Sequence, residues 1–453
     1  MLRGLFGLAN LTQDVPTTFV GNLPFSITIL YMDNSNTDRP EHVFTPRTIV
    51  TRRMFERRNE PSEGSALGVQ DRLGDALRER GGQLLVYGDT GVGKSSLVKY
   101  ATEDEELSAV TVECTAETDY ASILHAVVQE LLDVREIKFS RTRNAEMSTT
   151  VEGAVPWITK VTGTFKGALS RQSDYEVIEK PALDVATELM AKSGKTLLVL
   201  ENFQNVRGEA TRELVAQLLE RLSDRASRDW EQPDIKCVVV GIAEDATSLL
   251  GSSRSYLRRT AQIGVPRMPD DEIRAFLARG FSILGLQVSE DLIDEFVFYS
   301  DGFPYFAHLV GLYTSRIALR SESSEIGREE LQSALFEAAH SVTASYQDRV
   351  RAARESGGAV RPRAQLMSIL ANSSSRTWTG SDIQQLWAEK VAPRKDFAPI
   401  HVALGQLVKE EHGSILARTG KQRSYVYRFA DPHIRPFLRI EEAHSALTCD
   451  RSD

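Results

Sequence analysis

Cysteine is scarce in this chain: Cys114, Cys237 and Cys449 are the three present, and none belongs to a C-x-x-C pair. An odd, scattered set supports neither a disulfide framework nor a zinc site. Cys237 stands in the apolar run CVVV and reads as a core residue. Long apolar runs are missing too. No stretch reaches the roughly 18–20 residues that a membrane span needs. The strongest N-terminal candidate, FVGNLPFSITILYM, is short and carries Asn22 and Pro24. The opening MLRGLFGLANL has one Arg and a brief apolar stretch, too weak for a signal peptide. A cytoplasmic chain with no membrane partner is expected. A general basic surplus is absent as well: the net charge of −9 argues against a surface coated for nucleic acid. No internal repeat is visible.

What is present is an alternation of strands and helices. At 453 residues the chain should hold about two to four domains. Residues 1–45 read as an N-terminal extension, turn-rich around MDNSNTDRPEH. Between 46 and 266, the runs QLLVYG (83–88), AVTVEC (109–114), KTLLVL (195–200), IKCVVVGIA (235–243) and AQIGVP (261–266) are expected strands. Helical patterns between them argue a parallel sheet with helices on both faces, an α/β core. An insertion at about 136–180 breaks the rhythm, and TVEGAVPWITKVTGTFKGALS within it reads as a hairpin. From 267 to 354 the pattern is wholly helical. ESGGAVRP (355–362) is a linker, and 361–445 shows three short helical patterns, a pair of strands and a closing helix, the outline of a winged helix-turn-helix.

The sharpest motif is GDTGVGKSS, which fits G-x-x-x-x-G-K-S between a strand and a helix. Gly88, Gly91 and Gly93 let the backbone wrap a polyphosphate, and Asp89, Thr90, Val92 and Ser96 complete the loop. Lys94 is expected to reach the β- and γ-phosphates of ATP, and Ser95 to place its hydroxyl on Mg²⁺. LLVLEN then puts Glu201 at a strand end, where a carboxylate can hold Mg²⁺ through water opposite Ser95.

The order of these features resembles the AAA+ ATPases, specifically bacterial ones close to origin-recognition, transposition and STAND-type signalling ATPases. The resemblance implies that GDTGVGKS is the Walker A motif and LLVLEN the Walker B motif. VFTPRTIVTRRMF resembles a lead-in that lines the adenine pocket. It further implies an arginine finger at Arg258, with Arg259 and Arg254 as substitutes, acting on a neighbouring subunit in a homo-oligomer. In DGFPYFAHLVG it places Gly302 and Pro304 near the adenine, in a helical lid. Two departures stand out. Where the family has a catalytic Glu, this chain has Asn202, which can position a water but cannot accept its proton. Where the sensor-1 segment usually has a polar side chain, it has Gly241 and Ala243, with Glu244 and Asp245 just beyond. ATP binding is therefore expected to be firm and hydrolysis weak.

Residues 361–440 hold thirteen Lys and Arg against six Asp and Glu, a local +7, so the remainder carries −16. Such a concentration is the footprint of a DNA-binding module. FAPIHVALGQLVKE is the expected recognition helix and ARTGKQRS the wing. Arg394 and Lys395, with Arg418, Lys421 and Arg423 at the hairpin tip, are candidate phosphate contacts. His401 and Gln406 are the polar candidates for base edges, whereas Ile400, Leu404, Leu407, Trp378 and Trp387 read as core. The expectation is an oligomeric ATP-dependent switch or slow ATPase acting on DNA, in genome maintenance, mobile elements or antiphage defence. The alternative is a signalling ATPase whose C-terminal module contacts a protein partner or effector.

Overall fold

Short aliphatic runs, hydrophobic at every position, form the centre of the molecule. The computed structural model describes residues 38–61, 65–132, 175–228, 230–243, 247–250, 254–341, 344–355, 361–391, 398–421 and 424–450. Strands β1 (Gln83–Tyr87), β2 (Ala109–Glu113), β3 (Leu197–Glu201), β4 (Lys236–Gly241) and β5 (Thr260–Gly264) make a parallel sheet in the order β2-β3-β4-β1-β5. All five coincide with expected runs. Side chains alternate between two faces, as the pleat requires. Leu84, Val86, Val199 and Val240 enter one core, shared with α1 (Val69–Arg78) and α2 (Lys94–Asp104). Leu85, Val112, Leu200 and Val239 enter the other, under α3 (Tyr120–Leu132), α4 (Tyr175–Lys192) and α5 (Glu209–Arg228). Cys237 is fully buried in that second core. The hairpin expected within the insertion lies outside the described residues, and 175–180 are helical, as the start of α4.

Residues 267–354 form α6 (Asp270–Ile283), α7 (Glu290–Ser300), α8 (Pro304–Arg320), α9 (Arg328–Ser341) and α10 (Ala344–Arg354). The wholly helical expectation needs one correction. Two-residue strands β6 (Gln287–Val288) and β7 (Glu325–Ile326) pair in parallel, too short to show a period of two. Phe44 is fully buried between α6 and α8. A Cβ added at Gly280 would lie 2.6 Å from its ring, and one at Gly311 2.8 Å, so two glycines cut the notch that seats it.

The C-terminal residues fold as α11 (Pro362–Ala371), β8 (Thr377–Thr379), α12 (Gly380–Lys390), α13 (Ala398–Leu407), β9 (Leu416–Thr419), β10 (Val426–Phe429) and α14 (Ile434–Asp450). The antiparallel sheet runs β8-β10-β9. Strand β8 was not expected; it is three residues long, and Trp378 anchors it edge-on to Phe429 at 5.7 Å. Thr379 and Asp382 then close a capping box that starts α12. Trp387, Ile400, Leu404 and Leu407 are buried, as their spacing indicates. One hydrophobic core runs without a break from Val43 and the sheet through α6–α10 to Ile440 of α14.

Candidate phosphate-loop site

The chain leaves β1 at Tyr87 and turns through residues 88–93 into the N-terminus of α2. Gly88 has φ +146°, and a Cβ there would lie 2.5 Å from the Val265 carbonyl oxygen. Gly93 caps α2 in the left-handed region at φ +91°. These geometries explain why the loop is glycine at its turning points. Lys94 Nζ donates to the carbonyls of Gly88 at 3.0 Å and Asp89 at 2.6 Å. Burial lowers the Lys94 pKa to about 8, against the pull of Asp89 and Glu201. A polyanion in the loop would oppose that shift.

Glu201 ends β3 and is buried. Ser95 Oγ donates to its Oε2 at 2.9 Å, so the two expected magnesium ligands meet at one point. Burial pushes the Glu201 carboxyl up, against the Ser95 hydrogen bond; Glu113 adds to the rise and Lys94 opposes it. A hydroxyl and a carboxylate are hard oxygen donors of the kind Mg²⁺ takes.

Over the loop lies a cleft of about 800 Å³. Its floor is Thr90–Ser96, Glu113, Glu201 and Asn202; its walls include Thr45–Val50 of the lead-in and Pro304, Tyr305 and His308 of α8. The lead-in and Pro304 thus border the cleft, and Gly302 does not; it sits against Arg267 and Met268. Gly88 and Asp89 line a second cleft on the far side of the loop.

Two residues tie the loop to other elements with no sequence signal in their favour. Arg58 is buried and donates to the carbonyls of Val92, Pro266 and Arg267 at 3.2, 2.9 and 3.0 Å, while its Nε pairs with Glu272 at 2.9 Å. Burial lowers the Arg58 pKa against Glu272, and burial raises Glu272 to about 7. His433, at the entry to α14, lies 2.8 Å through Nε2 from the Thr90 carbonyl. A carbonyl only accepts, so Nε2 carries the proton. Arg58 lies 34 residues before Val92 and His433 lies 343 after Thr90, both beyond any local pattern.

Asn202 follows β3 in the left-handed conformation, φ 56° and ψ 34°. Its Nδ2 donates to Glu113 Oε2, at the end of β2, at 2.8 Å. Glu113 and Glu201 are register partners on adjacent strands. Gln204 also borders the cleft, and its Oε1 accepts the Ile242 N–H at 3.0 Å, beside Gly241. Gln204 thereby holds the end of β4, the segment expected to carry sensor 1; Ala243 is half-buried, and Glu244 and Asp245 fall outside the described residues.

Arg258 is exposed and does not border the cleft of its own chain. Arg259 pairs with Asp224 of its own chain at 2.9 Å. The Arg254 side chain lies outside the described residues, as do Arg394, Lys395 and Arg423. Arg418 and Lys421 are exposed, with the Arg418 guanidinium 4.5 Å from the Tyr425 ring centre. His401 is exposed and 3.2 Å from Gln384, and Gln406 is half-buried. The charge count needs correcting for burial. Arg363, Arg435 and Arg439 are all buried, so part of the basic surplus serves the interior. Arg435 pairs with Asp301 of the lid at 3.1 Å and Arg439 reaches it at 3.5 Å. Arg267 also pairs with that carboxylate.

Residues 67–229 match the AAA ATPase domain. That AAA ATPase domain match begins just before α1 and ends just after α5, so it contains Lys94, Ser95, Glu113, Glu201 and Asn202. With the phosphate loop after β1 of a parallel five-stranded sheet, the fold is that of an α/β P-loop NTPase. No curated protein matches the chain. Similar solved structures include the Aeropyrum pernix ORC2 protein in ADPNP–ADP complexes, at 15% identity and TM-score 0.42, covering 88% of this chain and 98% of that one. Cdc6p from Pyrobaculum aerophilum matches at 12% identity and TM-score 0.43, over 91% and 98%. The Thermotoga maritima RuvB Holliday junction branch migration motor matches at 11% and 0.39, over 84% and 93%. Among the described residues, no helix is long and apolar enough to cross a membrane.

Proposed function

We propose that this chain is an ATP-binding, AAA+-like switch or slow ATPase that self-associates through its nucleotide sites and acts with DNA. The observation that carries the nucleotide part is the meeting of Lys94, Ser95 and Glu201 at the floor of one cleft. Backbone N–H groups at the start of α2 suit a polyphosphate, and Lys94 adds a charge that such a ligand would stabilise. Ser95 and Glu201 would hold Mg²⁺, which would neutralise phosphate charge. Pro304, Tyr305 and the lead-in close the cleft from the lid side, so its occupancy and the lid position are linked. Arg258, exposed and unpaired among the described residues, suits a finger reaching a neighbouring copy.

The DNA part rests on Arg418, exposed on β9, and Lys421, exposed in the turn after it, in what we read as a winged helix. Few donors line α13, so contact with the phosphate backbone is favoured over base reading. Molecular mass measured with ATP, with ADP and without nucleotide, with and without duplex DNA, tests both parts. ATP-dependent assembly and salt-dependent DNA retention are expected. Retention unchanged in R418E/K421E/R423E sinks the DNA part.

A second reading draws on the contacts of His433 with the loop and of Arg435 and Arg439 with Asp301. They dock the C-terminal module on the lid, as a signalling switch that releases it to a protein partner requires.

A further inference from the structure

The family resemblance puts a carboxylate immediately after the Walker B acid, and this chain has Asn202 there. The backbone supplies a reason. Residue 202 is left-handed, a conformation that Asn tolerates better than most side chains and that penalises Glu. A carboxylate is nevertheless present at the same end of the sheet, on the neighbouring strand. Glu113 closes β2, the edge strand, directly beside Glu201 in register. It is exposed toward solvent and borders the cleft.

We propose that Glu113 is the general base of ATP hydrolysis and that Asn202 is its positioning residue. The inference rests on the nucleotide reading given above. The other acids of the cleft are otherwise engaged. Glu201 is buried and accepts the Ser95 hydroxyl. Glu56 is paired with Arg279, and Glu103 lies 4.0 Å from Lys99 near the far end of α2. Gln204, which also borders the cleft, has its oxygen committed to the Ile242 N–H. Glu113 has one oxygen, Oε2, held by Asn202 Nδ2 at 2.8 Å. Among the described residues its other oxygen has no partner, which leaves it to accept from a water. The side chain of Asn202 thus fixes the base as second groups fix catalytic acids elsewhere.

In the step, a water oxygen bonds to the γ-phosphorus and gives a proton to the Glu113 carboxylate. The bond between the γ-phosphorus and the β–γ bridging oxygen breaks, and its electron pair leaves with ADP. Inorganic phosphate is the second product, and Glu113 returns its proton to solvent. The atoms balance with no further reactant.

The test measures ATP turnover and ATP affinity side by side in the full chain. E113Q keeps an oxygen for Asn202 and is expected to lose turnover on the order of 100-fold, the usual worth of a general base, with affinity changed less than about threefold. E113D, one methylene shorter, is expected to retain part of the rate. N202A should lower kcat with little change in KM, and N202H, which keeps a donor, should recover part of it. Wild-type turnover in E113Q overturns the inference while leaving ATP binding intact. A wild-type chain that binds ATP and never turns it over also overturns it. If K94A binds ATP as the wild type does, the nucleotide reading itself has failed, a result separable from the others.

Discussion

His433 Nε2 donates to the Thr90 carbonyl of the phosphate loop across 2.8 Å, while its Nδ1 lies 3.2 Å from the Tyr346 hydroxyl. One imidazole therefore joins the loop, the lid and the start of α14. Phe303 and Phe306 hold its ring edge-on at 4.8 and 5.4 Å. Replacing His433 by Ala strands a loop carbonyl and empties a packed site. The expected loss is about 1–3 kcal/mol of stability, read from urea unfolding. In the wild type, nucleotide should slow hydrogen exchange in α14; in H433A that protection should disappear.

Lys94 is buried at the loop, with two carbonyls as its partners and its pKa lowered to about 8. Removing it should weaken ATP about 10- to 100-fold, the worth of hydrogen bonds to a charged group. Folding stability should barely fall, because the variant also sheds a desolvated ammonium. Fluorescent-nucleotide titration and thermal melting separate the two effects.

His308 is buried under Phe276, stacked at 4.8 Å, and its Nδ1 accepts the Thr45 N–H at 3.2 Å. Burial lowers its pKa to about 4. Between that value and roughly 6.5, the unfolded chain binds a proton that the folded chain refuses. Stability from this group is therefore complete above about pH 6.5 and is lost as pH falls toward 4. The full loss amounts to about 3 kcal/mol. Unfolding midpoints across pH 4 to 7 should slope less in H308Q than in the wild type.

Asp301 serves as the shared carboxylate for Arg267 and Arg435, with Arg439 at 3.5 Å and Arg376 at 3.7 Å. Its removal leaves buried guanidinium groups without a counter-charge. D301A should cost about 3–5 kcal/mol, as breaking a buried ion pair does. R376A should cost under about 1 kcal/mol, since Arg376 is half exposed. Chemical denaturation of both variants checks the contrast.

The sheet and the phosphate loop were legible because their signals are local. Five aliphatic runs gave five strands, and glycine spacing with Lys94 and Ser95 marked the turn into α2. Glu201 was legible from its place at the end of LLVL. Glu113 was not, because AVTVEC alternates like any edge strand, and only strand pairing brings it beside residue 201. Arg58 and His433 stayed hidden for the same reason: their partners are set by tertiary packing. The charge sum at the C-terminus misled in part, since a tally of Arg cannot tell a surface guanidinium from Arg435 inside.

Phe44 neither borders the cleft nor touches the phosphate loop, yet it seats the segment that forms one cleft wall. The notch that receives it exists because Gly280 and Gly311 lack side chains. Those two glycines act as a gauge: they set how deep the lead-in sits and so how wide the cleft stands. A single methyl at either would back the wall away from the phosphate loop without altering one residue that lines the cleft.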